Sequence, residues 1–240
     1  MKLESRSLCG RWPYRRRVPN VSNETPASGS LLGERRTALT DLRATEYATL
    51  EGLLAAVRQC RNCEKELPLG PRPVLRAADS ARILVVGQAP GARVHASGIP
   101  WDDASGARLR NWMGVDTARF YDESQIAIIP MGYCYPGRGK SGDLPPRREC
   151  ASLWLDQLLA KLPRIELKLL IGLHAQRHFL GARRKRSLTQ TVKAWREFAP
   201  EYLPLPHPSP RNAPWLKRNP WFEHQLLPTL RERMKSLPPR

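Results

Sequence analysis

The chain has 240 residues, of which 41% are hydrophobic, enough for one α/β domain with a tail. Its 40 Lys and Arg against 22 Asp and Glu leave a formal net charge of +18, which points to a polyanionic partner, nucleic acid before an anionic membrane surface. No apolar run nears the roughly 18 residues of a membrane span, no signal peptide opens the chain, and an odd cysteine count of five argues against a disulfide framework. A cytoplasmic, reducing setting is therefore expected, with metal as the reason for the cysteines.

In chain order, residues 1–40 carry Arg15-Arg16-Arg17 and a Ser/Pro/Gly-rich stretch over 20–33 with no apolar periodicity. They read as a disordered basic tail, and the folded domain is placed at 41–240. Leu42, Tyr47, Leu50, Leu53, Leu54 and Val57 recur at helical spacing up to Cys60. Four short apolar runs then read as buried strands, at 83–86, 126–129, 167–173 and 202–205. Helical patterns fall at 104–113, 145–162, 174–181, 187–198 and 221–236. Strands alternating with helices imply a three-layer α/β/α fold around a central four-stranded parallel sheet.

Two loops stand out. Gly87-Gln88-Ala89-Pro90-Gly91 follows the first strand, and His207-Pro208-Ser209-Pro210-Arg211-Asn212 follows the fourth. In parallel α/β sheets, ligands bind beyond the carboxyl ends of strands, so both loops should face one crevice. The first is not a phosphate loop, because no Gly-Lys-Ser/Thr follows Gly91. Cys60-x-x-Cys63 with Cys134 and Cys150 supplies four thiolates, a set that suits zinc or an iron–sulfur cluster; spacing alone does not choose between them. Cys9 falls in the basic tail and is expected to be a free thiol. Basic runs at 138–140, 147–148, 183–186 and 217–218 are candidates for tracking a nucleic-acid backbone.

The pair GQAPG (87–91) and HPSPRN (207–212) resembles the two active-site motifs of uracil-DNA glycosylases. Ser97-Gly98-Ile99-Pro100-Trp101 resembles a third stretch of that superfamily. The cysteine pairs resemble those of its iron–sulfur (family 4 and family 5 type) members, whereas HPSPRN is closer to the single-strand-selective monofunctional enzymes. The resemblance covers about 45–235. It implies a four-iron four-sulfur cluster on Cys60, Cys63, Cys134 and Cys150, with zinc as the alternative. It also implies a DNA partner carrying uracil or another deaminated base, engaged by a monomer.

The same resemblance implies roles for the loop residues. His207 would donate to the O2 of the departing base, and Trp101 would stack the flipped base where relatives usually carry Phe. Gln88 and Ala89 would line the facing wall, within the turn made by Gly87, Pro90 and Gly91. Ser209 and the Gly-rich turn would meet phosphates, Arg211 would wedge into the vacated stack or contact phosphate, and Asn212 would complete the substrate-binding set. Two departures matter. Relatives often carry a carboxylate in the first motif to orient the attacking water; here Gln88 and Ala89 stand there, and Asp102 or Asp103 is expected to take up that task. The family's uracil-reading Asn falls on Pro130, which blurs base choice and leaves hypoxanthine and xanthine open beside uracil. No Lys is placed for Schiff-base chemistry, so the expected enzyme is monofunctional. The alternative is a glycosylase-fold protein that binds damaged or single-stranded DNA without turnover.

Overall fold

In the computed structural model, residues 47–140 and 142–237 are described. The expected tail over 1–40, the start of the first helix near Leu42, and Cys9 lie outside the described residues. The strands, in chain order, are β1 (Ile83–Val86), β2 (Ile126–Ile128), the hairpin partners β3 (Arg138–Gly139) and β4 (Gly142–Asp143), β5 (Leu167–Ile171) and β6 (Tyr202–Leu205). β1, β2, β5 and β6 form one all-parallel sheet in the order β2-β1-β5-β6. Ile83 pairs with Ile126 on one side and Leu167 on the other, which fixes the register.

Side chains alternate across this sheet, so a run of consecutive apolar residues feeds two cores at once. Ile83, Val85, Ile126, Ile128, Leu169 and Leu203 enter one; Leu84, Val86, Ala127, Ile129 and Leu170 enter the other. Pro204 sits in the edge strand β6, where its missing N–H costs no ladder bond to a further strand. The opposite edge, β2, is capped by a single bridge: Ile128 N–H donates to Arg76 O at 2.7 Å and Arg76 N–H to Ile128 O at 3.0 Å.

The helices are α1 (Leu50–Arg58), α2 (Ala92–Ser97), α3 (Ala104–Met113), α4 (Thr117–Tyr121), α5 (Arg148–Cys150), α6 (Asp156–Ala160), α7 (Gly172–Leu180), α8 (Leu188–Lys193), α9 (Ala213–Arg218) and α10 (Leu227–Ser236). α3, α8 and α10 cover the first face through Trp112, Val192 and Leu230. α1, α6 and α7 cover the second through Leu53, Leu158 and Ala175. The three-layer α/β/α arrangement is thus present. Among the described residues no helix is long and apolar enough to cross a membrane.

Boundaries moved where local chemistry overrode periodicity. The strand expected to reach 173 stops at Ile171, because Gly172 takes φ +80° and turns the chain into α7. The helix expected over 145–162 starts only at Arg148, after Pro145-Pro146, and runs through a π-helical stretch (Ala151–Leu155) before α6. The pattern over 187–198 divides into α8 and a 3₁₀ turn (Trp195–Glu197) that buries Trp195. The last helix opens with a π-helical turn, Phe222–Leu226.

The connections set the position of the site. From β1 the chain passes to β2 on one side, then returns to β5 and β6 on the other. The loops leaving β1 and β5 therefore diverge, which opens a crevice at their carboxyl ends.

Candidate active site

The loop after β1 is held extended by backbone bonds to the segment beyond β2: Met131 N–H donates to Gly87 O (2.9 Å) and Gly132 N–H to Gln88 O (2.8 Å). Trp101 lies directly on it. A Cβ at Gly87 would stand 2.8 Å from Trp101 Cζ2, so glycine is what lets the indole approach the loop. Trp101 itself has φ +59°, a left-handed conformation that is strained for a large side chain and costs on the order of 1–3 kcal/mol. Its carbonyl oxygen would be 1.8 Å from a Cβ at Gly106, and it accepts a 3.4 Å bond from Arg110 Nη1. Close packing on α3 holds the strained turn.

His207 follows β6. Buried Gln176 on α7 donates to Leu205 O (2.9 Å) and Leu170 O (3.2 Å), which ties the ends of β5 and β6 together below the loop. The His207 ring lies beside that of Trp101, with centroids 5.7 Å apart and planes tilted by 34°. Its Nδ1 accepts the backbone N–H of Ser209 at 3.1 Å. Nδ1 is then the unprotonated nitrogen, and in the neutral ring the remaining hydrogen is on Nε2. Burial pushes the His207 pKa below its ordinary value, while the charges of Asp103 and Asp143 pull it partly back. The ring is held as a neutral donor.

The rest of the HPSPRN loop is braced from several directions. Asn212 Nδ2 donates to His207 O (2.7 Å), Ser209 Oγ accepts the Arg211 N–H (3.3 Å), and Arg108 Nη1 on α3 donates to Ser209 O (3.1 Å). Between the loops lies a cleft of about 310 Å³. Gly87, Gln88, Ala89, Pro90, Gly91, Trp101, Asp103, His207, Ser209 and Arg211, all singled out from sequence, line it. Asp102 and Asn212 are not among its lining residues. Asn212 instead fixes the His207 backbone, and Asp103 Oδ1 caps α3 by accepting the Gly106 N–H at 2.8 Å. Pro130 lines the cleft as well and offers no side-chain donor or acceptor there.

Sequence reasoning missed Asp143, which lines the cleft from the β3–β4 hairpin, and the two bracing residues Arg108 and Gln176. The only signal for Asp143 was the glycine-rich run Gly137 to Gly142, which reads as a turn.

The four cysteines meet on another part of the domain. Cys60 follows α1, Cys63 opens a 3₁₀ turn (Glu64–Glu66), Cys134 lies beyond β2, and Cys150 ends α5. Cys60 and Cys63 are near enough to act electrostatically on Cys134, and all three act on Cys150. Burial pushes the Cys134 thiol up to about 11 and the Cys150 thiol up to about 12. N–H donors point at the sulfurs: Tyr133 N–H at Cys150 Sγ (3.5 Å) and Asn62 Nδ2 at Cys63 Sγ (3.7 Å). Among the described residues no group of three or more His, Cys, Asp or Glu is closed on the spacing of a single ion. The donor set suits a thiolate-bound group: four cysteines near enough to act on one another, with N–H donors to two of the sulfurs.

A family model described as the uracil DNA glycosylase superfamily matches residues 76–231, a span that runs from before β1 into α10 and contains both cleft loops.

Proposed function

The chain belongs to the uracil-DNA glycosylase superfamily, and on that premise we propose that it is a monofunctional DNA glycosylase releasing uracil or another deaminated base. The observation that carries the reading is the Ser209 N–H bond to His207 Nδ1, which leaves Nε2–H as the donor in a cleft faced by the GQAPG loop. The base leaves as an anion, so a donor aimed at its developing charge lowers the barrier. The target base must first leave the stack and enter the cleft. Trp101 beside His207 is the stacking surface for it, worth about 1–3 kcal/mol per base. Gln88 and Ala89 form the facing wall; Ser209 and Arg211 meet the DNA backbone or fill the gap in the stack. The net charge of +18 supplies general attraction to phosphates.

Cys60, Cys63, Cys134 and Cys150 would hold a four-iron four-sulfur cluster. When bound, it serves as a covalent clasp between the end of α1 and the segment from β2 to α5. The cluster is preferred to zinc because the cysteine pairs resemble those of the iron–sulfur members of the superfamily; four thiolates would suit either metal.

Gln88 and Ala89, where a water-holding carboxylate would stand, favour a second reading: a protein of this fold that binds damaged DNA without turnover. One assay separates the two. Oligonucleotides carrying uracil, hypoxanthine or xanthine are incubated with the protein and then treated with alkali. Cleavage after alkali, with none before it, supports a monofunctional glycosylase; binding without any abasic product supports the second reading.

A further inference from the structure

The cleft contains a carboxylate that neither loop motif provides. Asp143 ends β4 and lines the cleft with His207. Its Oδ2 lies 3.4 Å from where a Cβ on Gly91 would be, so it stands against the end of the GQAPG loop. Its charge acts on the His207 imidazole.

The hairpin that carries it is anchored. Leu144 N–H donates to Gly137 O (2.8 Å), and Arg138 pairs with Asp143 across the two strands. Arg211 Nη1 lies 2.7 Å from the place a Cβ on Gly142 would take, so the guanidinium sits against the hairpin, and Gly142 itself takes φ +146°, a conformation that favours glycine. Asp143 is solvent-exposed, and its carboxylate makes no hydrogen bond or ion pair among the described residues.

The two carboxylates expected from sequence are less suited to meet a water. Asp103 already spends one oxygen capping α3, and Asp102 lies outside the cleft lining. Resting on the glycosylase reading above, we propose that Asp143 holds and deprotonates the water that attacks the sugar. The water oxygen bonds to C1′ of the deoxyribose. The C1′–N bond breaks and its electron pair leaves with the base, whose charge His207 Nε2–H stabilises. The proton of the water passes to Asp143, and the released base anion takes up a proton from solvent. The task normally met from the first motif is thus met here from the hairpin, which accounts for a cleft with Gln88 and Ala89 at the motif positions.

The test uses the full chain with whichever deaminated base the wild type releases fastest. Asp143→Asn should slow single-turnover release by about 10²–10⁴-fold, the usual worth of a positioned base, with affinity for an uncleavable substrate analogue unchanged. Formate added to Asp143→Ala should restore part of the rate while leaving the wild type unaffected. A wild-type rate in Asp143→Asn overturns the assignment, as does a loss of rate matched by an equal loss of binding. A wild type that releases none of the three bases refutes the glycosylase reading itself, whereas an active wild type with an indifferent Asp143→Asn refutes Asp143 alone.

Discussion

Replacing His207 by Ala separates chemistry from architecture at the cleft. The variant removes one donor, Nε2–H, and the loss of a single preorganised donor to a developing anion costs about 2.7–4 kcal/mol, or 10²–10³ in rate. The fold is also touched. The Ser209 N–H loses its acceptor, at about 1–3 kcal/mol where water cannot replace it. The ring pair with Trp101 goes as well, at about 0.5–1.5 kcal/mol. Single-turnover base release, measured at a temperature where melting curves show the variant folded, should therefore drop 10²–10³-fold. Binding of an uncleavable analogue should change little, since the donor acts on charge that appears only in the transition state. A pH signature accompanies it. Because the folded pKa of His207 lies below the unfolded value of about 6.5, the unfolded chain binds the extra proton first as pH falls. This residue's contribution to stability is complete above about pH 6.5 and is lost as pH drops through the folded value; His207→Ala should flatten that part of the stability curve. Wild-type single-turnover rates in the folded variant would refute the donor role.

Three further outcomes follow from the packing and the charge. Gly87→Ala places a Cβ 2.8 Å from Trp101 Cζ2, so the indole has to move; thermal melts should show about 1–3 kcal/mol lost, and affinity for substrate should weaken with it. As-purified protein should be brown, with about four irons per chain by metal analysis; Cys150→Ser should lose the iron and Cys9→Ser should keep it, while stoichiometric zinc in a colourless preparation would replace the cluster by zinc on the same ligands. DNA affinity should fall steeply with rising salt in a titration, as counterion release requires of a chain with net charge +18.

The sheet was legible because its strands are buried on both faces. Ile83 to Val86 and Leu167 to Ile171 are nearly unbroken apolar runs, each followed directly by a glycine. Asp103 shows where one residue type supports two readings: an Asp directly before a helix is also its natural N-cap, and capping is what the structure shows its Oδ1 doing. Asn212, expected in the substrate-binding set, donates its Nδ2–H to the His207 carbonyl, a bond that depends on how the loop folds back on itself. Arg108 reads as an ordinary charge on the surface of α3; only the tertiary approach of the HPSPRN loop gives it the Ser209 carbonyl. The β3–β4 hairpin has strands of two residues each, Arg138–Gly139 and Gly142–Asp143, too short and too polar for any periodicity to reveal.

That hairpin also links the cleft to the four-thiol site. It lies between Cys134 and Cys150 in the chain, so the segment carrying Asp143 to the cleft has one cysteine of the four-thiol site on each side of it. Gly137, just before β3, takes φ +101° and Gly142, opening β4, takes φ +146°, and such a segment loses much backbone freedom when fixed. Leu144 contributes by packing against Gly139 and Gly137, and Pro68, from the stretch just after Cys63, closes on Gly137. A group bound by the four thiols would fix both ends of the segment and the neighbouring Pro68 stretch together, lowering the entropy lost in holding the hairpin against the GQAPG loop. The proposed metal site and the proposed base are then parts of one arrangement: one clamps the ends of the segment, and the other is what the segment presents to the cleft.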